Sequence, residues 1–181
     1  MIEIVPNWHP LWVHFPIALL TVAVLLFWLG RFWPEVARAR TLITVARWNL
    51  GLGVLFLVPT LITGYLAYNS VAHDSAGHEA MERHLVAAWI ASGLFVVAAV
   101  LAWRERQQKR TVGMPLLAVL LAGLVAIGVT GYLGAENVYR HGIGVERLPD
   151  PDDHHHGHGD SDHEHDASES DGHEHSHDHD H

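Results

Sequence analysis

Cysteine is absent from all 181 residues, so the chain can form neither disulfides nor thiolate-held metal or iron–sulfur sites of its own. Hydrolase and nucleotide-binding signatures are missing as well: there is no Gly-x-Ser-x-Gly, no His-Glu-x-x-His and no P-loop. "HEAMERH" at His78–His84 has the wrong spacing for a zinc protease, because histidines six apart lie on different faces of a helix. Lys and Arg do not occur after residue 148. Residues 1–148 hold all 11 cations and 8 of the 20 acidic groups, whereas residues 149–181 hold 12 acidic groups and 11 of the 17 histidines. These are two unlike segments, one oily and one polar, and no catalytic activity is expected of either.

Four apolar runs fill the first segment, roughly Leu11–Phe32, Leu50–Tyr68, Leu85–Trp103 and Met114–Leu133. At ~1.5 Å per residue each spans the ~30 Å hydrocarbon core of a bilayer, and so few residues remain between them that a soluble fold could not cover them. The expected fold is all-α: a four-helix transmembrane bundle over residues 1–148, with a disordered His-rich tail over residues 149–181. Met1–Val5 carries no cationic run, so the first apolar run is expected to stay as an anchor. Arg31, Arg38, Arg40 and Arg47 lie in the first connection, and Arg104, Arg106, Lys109 and Arg110 in the third. The positive-inside rule makes those loops cytoplasmic. Both termini and the tail then face the periplasm or exterior of a multi-pass protein of the bacterial inner membrane. The cations act as topology determinants beside lipid headgroups, and no nucleic-acid partner is expected.

"TGYL" occurs twice, at Thr63–Leu66 and Thr130–Leu133, and "NSVAH" after the first copy resembles "NVYRH" after the second. His14 opens the first apolar run and His84 the third, 49 and 46 residues before the respective TGYL. The pattern reads as a duplicated two-helix hairpin, two parallel repeats related by an axis along the membrane normal. All six histidines of this segment, His9, His14, His73, His78, His84 and His141, fall on the outer side of this topology.

Imidazole ligates haem iron, copper, zinc and nickel, and two imidazoles on opposite helices can hold one haem iron from both faces. Symmetry selects His14 with His84 as haem b ligands. His73 with His141 form the second pair, ligating another centre or binding haem propionates together with Arg83 and Arg140. Gly64, Gly131 and Gly134 lie near the outer helix ends, where a porphyrin edge needs close backbone approach, although small residues also serve bare helix packing. A His/carboxylate centre for zinc, copper or iron, built from His9, His14, His84, Glu82 and Glu136, is the non-haem alternative.

The tail interleaves its histidines, His154, His155, His156, His158, His163, His165, His173, His175, His177, His179 and His181, with Asp and Glu. It has no apolar periodicity and cannot bury a core. Its mixed nitrogen and oxygen donors suit a divalent transition metal, Zn, Ni, Cu or Co.

"HPLWVHFPIALL" at His9–Leu20, a Gly-Tyr ending the second apolar run, His84 opening the third and "GYLGAENVYRHGIGV" at Gly131–Val145 together resemble the bacterial four-helix membrane proteins of the domain of unknown function 2231 family. The resemblance covers about residues 7–145, not the tail, and departs at Gly134-Ala135, where the family commonly has Gly-Gly. It implies a four-helix inner-membrane module. Some relatives are joined to Rieske or cytochrome c modules, which implies an electron-transfer setting with a periplasmic or membrane redox partner. The readings carried forward are a haem b electron-transfer module with a metal-capturing tail, a non-catalytic metal-handling protein, and a structural anchor of a larger complex.

Overall fold

A computed structural model describes residues 7–71, 75–108 and 111–145, all within one compact unit, residues 1–148. His73 and the whole tail, residues 149–181, lie outside the described residues. Four helices follow in order: α1 His9–Phe32, α2 Val36–Ser70, α3 Ser75–Gln107 and α4 Met114–Tyr139. There is no strand among the described residues. All four helices are long and apolar enough to cross a membrane, with mean hydropathies of 1.9 to 2.5 over their best windows. Large apolar side chains such as Leu25, Leu55, Leu66 and Val125 are exposed around the outside, as the lipid-facing surface of a bundle requires.

α2, α3 and α4 extend past their apolar runs by one to several turns and α1 by two residues, because Arg- and Glu-bearing turns keep helical propensity beyond the apolar stretch. Proline opens two of them: Pro10 and Pro115 stand in the first turns of α1 and α4, where a missing N–H costs nothing. Pro16 lies deeper in α1 and removes the donor that would serve the Trp12 carbonyl. The Thr60 hydroxyl of α2 lies between that oxygen, at 3.2 Å, and the Phe56 carbonyl of its own helix, at 2.8 Å, so its single proton is shared between the two helices.

Packing is closest within two hairpins, α1 with α2 and α3 with α4, while the hairpins touch each other more sparsely. In lipid no water is expelled when helices meet, so close fit has to hold them, and small residues permit it. Gly53 faces Leu20 so tightly that a Cβ there would stand 2.5 Å from Leu20 Cδ2; Gly123 faces Phe95, its Cβ position 2.9 Å from Phe95 Cε2. These contacts are equivalent. Adding 75 to a residue of α1 gives its counterpart in α3, and adding 70 to one of α2 gives its counterpart in α4. Pro16 thus maps to Ala91, Leu20 to Phe95, Ala46 to Leu116, Leu50 to Leu120 and Gly53 to Gly123, all buried.

The chain is therefore a four-helix bundle of two parallel-repeat hairpins, as its sequence implies, but the register differs from that of the TGYL pair. Those two copies are 67 residues apart, three short of the structural offset. A shift of three residues on a helix moves a side chain almost one turn along the same face, so apolar patterning alone does not separate the two registers.

Candidate functional site

The N-terminal starts of α1 and α3 and the C-terminal ends of α2 and α4 share one end of the bundle, and there the hairpins diverge around a cavity of about 420 Å3. All four helices line it, together with the turn after α4, and its wall is mostly apolar. Two imidazoles enter from opposite hairpins, His9 from α1 and His84 from α3. Their ring centres are 6.4 Å apart and the ring planes cross at 79°.

Each imidazole is held in the same way. His9 Nδ1–H donates to the Thr60 carbonyl oxygen at 3.1 Å, and His84 Nδ1–H donates to the Thr130 carbonyl oxygen at 3.0 Å. A carbonyl can only accept, so the proton is on Nδ1 and each neutral ring keeps a lone pair on Nε2. Neither Nε2 has a hydrogen-bond partner among the described residues. One turn beyond each threonine a glycine makes the seat: a Cβ on Gly64 would stand 3.0 Å from His9 Cε1, and one on Gly134 3.1 Å from His84 Cε1. His9, Thr60 and Gly64 thus map onto His84, Thr130 and Gly134 by the offsets that relate the core. An Nδ1–H bound to a backbone carbonyl, with Nε2 left free, is the arrangement that orients metal-ligating histidines.

The expected pair is only half present here. His84 lies in the cavity, but His14 is exposed and does not line it; its Nδ1–H donates to the Pro10 carbonyl at 2.5 Å, one turn back on α1. His14 and His9 are five residues apart, 500° around a helix that turns ~100° per residue, and so point in different directions. His9, not His14, is the α1 histidine that lines the cavity. Gly64 and Gly134 seat imidazoles and do not themselves face open space, whereas Gly131 lines the cavity with nothing within 4 Å of a Cβ placed on it.

The remaining candidates stand apart from the cavity. Arg83 and Glu82 are exposed at the start of α3. Arg140 pairs with Glu136 on the surface of α4, N–H to Oε1 at 2.8 Å, beside a shallow groove separate from the cavity. His141 is half-buried just beyond α4 and does not line the cavity. Among the described residues no three His, Asp or Glu side chains converge on a point, so the His/carboxylate centre built from His9, His14, His84, Glu82 and Glu136 is not assembled there.

Thr60, Thr130 and Asn137 are the site residues that the sequence reading missed. The signal was available as Thr-x-x-x-Gly, "TLITG" at Thr60–Gly64 and "TGYLG" at Thr130–Gly134, hidden by the more conspicuous TGYL. Asn137, one turn past Gly134, lines the cavity and is buried, and its Oδ1 has no hydrogen-bond partner.

No curated protein and no solved structure matches this chain. The sequence pattern of one family, described as predicted membrane protein (DUF2231), matches residues 6–147, a span that takes in all four helices and both imidazole seats. The chain belongs to that DUF2231 family of membrane proteins.

Proposed function

We propose that this membrane protein holds haem b between His9 and His84 and relays single electrons, with the site at the periplasmic end of the bundle. One observation carries the reading: equivalent positions of two repeated hairpins present two backbone-oriented imidazoles to one apolar cavity. With metal–nitrogen bonds of ~2.0–2.1 Å and about 1.1 Å from ring nitrogen to ring centre, two imidazoles in line across a metal have centres roughly 6.3 Å apart. A tetrahedral metal would bring the centres to about 5 Å. The observed 6.4 Å is the separation that two imidazoles in line across one metal would have. The cavity volume lies within the ~300–1,000 Å3 range of small-molecule sites, and Gly131 leaves its wall open to a flat group.

When bound, haem supplies a one-electron couple; the rest is the chain's own work. Thr60 and Thr130 hold the imidazoles by Nδ1 and so leave Nε2 as the free ring nitrogen, Gly64 and Gly134 let the rings lie against the helices, and the mostly apolar wall suits a flat apolar group. Holding haem from both sides, His9 and His84 would leave no vacant place for oxygen, which suits electron transfer. Orientation follows from the cationic loops at the opposite end, which the positive-inside rule places in the cytoplasm of a bacterial inner membrane.

The test is a reduced-minus-oxidised visible spectrum of the purified full chain and three variants. Sharp haem b bands are expected in the wild type and in His14→Ala, and their loss in His9→Ala and His84→Ala. Equal bands in all four, or a colourless folded wild type, would overturn the assignment.

A metal-capturing role for the tail stands beside this reading, carried by its 11 histidines among 12 acidic residues. The tail's interleaved imidazoles and carboxylates suit Zn, Ni, Cu or Co. If metal handling is the main activity, deleting residues 149–181 removes most metal binding and alters metal tolerance, whereas the haem reading leaves the pigment unchanged by that deletion.

A further inference from the structure

The two halves of the cavity are alike in what holds the imidazoles and unlike one turn further out. There α4 carries Asn137, and the equivalent position of α2, by the same offset of 70, carries Ala67; both line the cavity. Asn137 is 8% exposed and its Oδ1 is buried without a hydrogen-bond partner. Its backbone carbonyl is already engaged, accepting from Ile143 N–H at 3.0 Å in the turn that ends α4. A buried polar atom left without a partner costs ~1–3 kcal/mol. Ala67 shows that the hairpin needs no amide at this place. An unpartnered amide at the edge of a cavity therefore points to what the cavity takes.

We infer that Asn137 recognises the carboxyl substituents of the group in the cavity and so fixes which way round it lies. The inference rests on the haem reading. Two equivalent imidazoles cannot tell one orientation of a planar macrocycle from another, but haem carries its two propionates along one edge. Asn137 stands on one side only, a turn from the Gly134 seat and toward the end of the helix. Its amide answers a carboxylic acid through Oδ1 and, turned over about its Cβ–Cγ bond, a carboxylate through Nδ2–H. In an apolar wall one such hydrogen bond discriminates strongly, because little water competes.

The test titrates haem and haem dimethyl ester, in which both carboxyls are blocked, into haem-depleted full-length protein in detergent. Wild type, Asn137→Leu and Asn137→Asp are compared, each checked for helicity and monodispersity. The expected result is that wild type binds haem at least tenfold more tightly than the ester and that Asn137→Leu loses this preference. Asn137→Asp, which keeps the shape but opposes a carboxylate with a like charge, weakens haem binding tenfold or more and spares the ester. The haem-free Asn137→Leu protein is expected to melt at or above the wild-type temperature, because it loses an unpaired buried atom. Equal preference in wild type and Asn137→Leu overturns the inference and leaves the haem reading standing, as does a haem-free Asn137→Leu that melts well below wild type, which marks a structural amide. A wild type that binds neither probe overturns both.

Discussion

Gly53 and Leu20 are locked together: a Cβ on Gly53 would stand 2.5 Å from Leu20 Cδ2, inside any distance two carbons tolerate. Leu20 is fully buried in the core of the bundle, so any rotamer change that makes room must be taken up by packed neighbours. Gly53→Ala should therefore destabilise the α1–α2 hairpin by ~1–3 kcal/mol, the usual cost of overpacking. Gly51→Ala, with nothing within 4 Å of its added methyl, is the control and should be neutral or slightly stabilising. Thermal unfolding in detergent, followed by circular dichroism, separates the two.

The glycines under the imidazoles give a prediction about spectrum more than stability. Gly64→Ala and Gly134→Ala each press a methyl onto an imidazole Cε1, and the ring must tilt to admit it. Both variants should fold and keep the cavity, yet bind haem about tenfold more weakly with shifted bands, a loss of roughly 1.4 kcal/mol. Gly131→Ala touches neither ring; if it weakens binding, it does so by occupying the wall, with band positions unchanged.

Thr60 joins two roles at one residue, its carbonyl accepting from His9 and its hydroxyl shared between the Phe56 carbonyl and the Trp12 carbonyl that Pro16 leaves without a donor. Thr60→Val keeps the first and removes the second. It should lower the melting temperature by a cost of ~1 kcal/mol, that of a single hydrogen bond, without abolishing haem binding. Loss of the pigment in that variant would show that the hydroxyl, not the carbonyl, positions the site.

Tail binding should follow the protonation of imidazole. Free imidazole titrates near pH ~6.5, and the neutral ring is the ligand, so zinc or nickel uptake should be strong at pH 7.5 and largely lost by pH 5. Calorimetric titration of the full chain and of a chain ending at residue 148 measures the difference. Unchanged uptake after removal of residues 149–181 would assign the metal to the bundle.

Much of this molecule is legible in its sequence because lipid imposes a simple rule: a helix that crosses the bilayer must be apolar for about 20 residues. The four runs, and with them the four helices of the bundle, follow from it. The register of the duplication does not. Leu20 and Phe95, or Ala46 and Leu116, are equivalent in packing but differ in identity, whereas TGYL is identical in both copies but not equivalent in place. The choice between His9 and His14 was hidden for a related reason. Both lie at the start of α1, and only the cavity, formed where sparsely packed hairpins diverge, decides which imidazole faces inward. Asn137 was read as part of a repeat with Asn69, yet Asn69 is exposed and donates to the Tyr65 carbonyl, so the two asparagines do different things.

The central claim, that His9 and His84 share one iron, is tested most directly by electron paramagnetic resonance of the oxidised, purified full chain. The ring planes of His9 and His84 cross at 79°; if both hold haem iron in that orientation, the ferric protein would give a low-spin signal of strong anisotropy. That signal should persist in His14→Ala and vanish in His9→Ala. A high-spin signal, or a low-spin signal that survives His9→Ala and disappears in His14→Ala, would contradict the account.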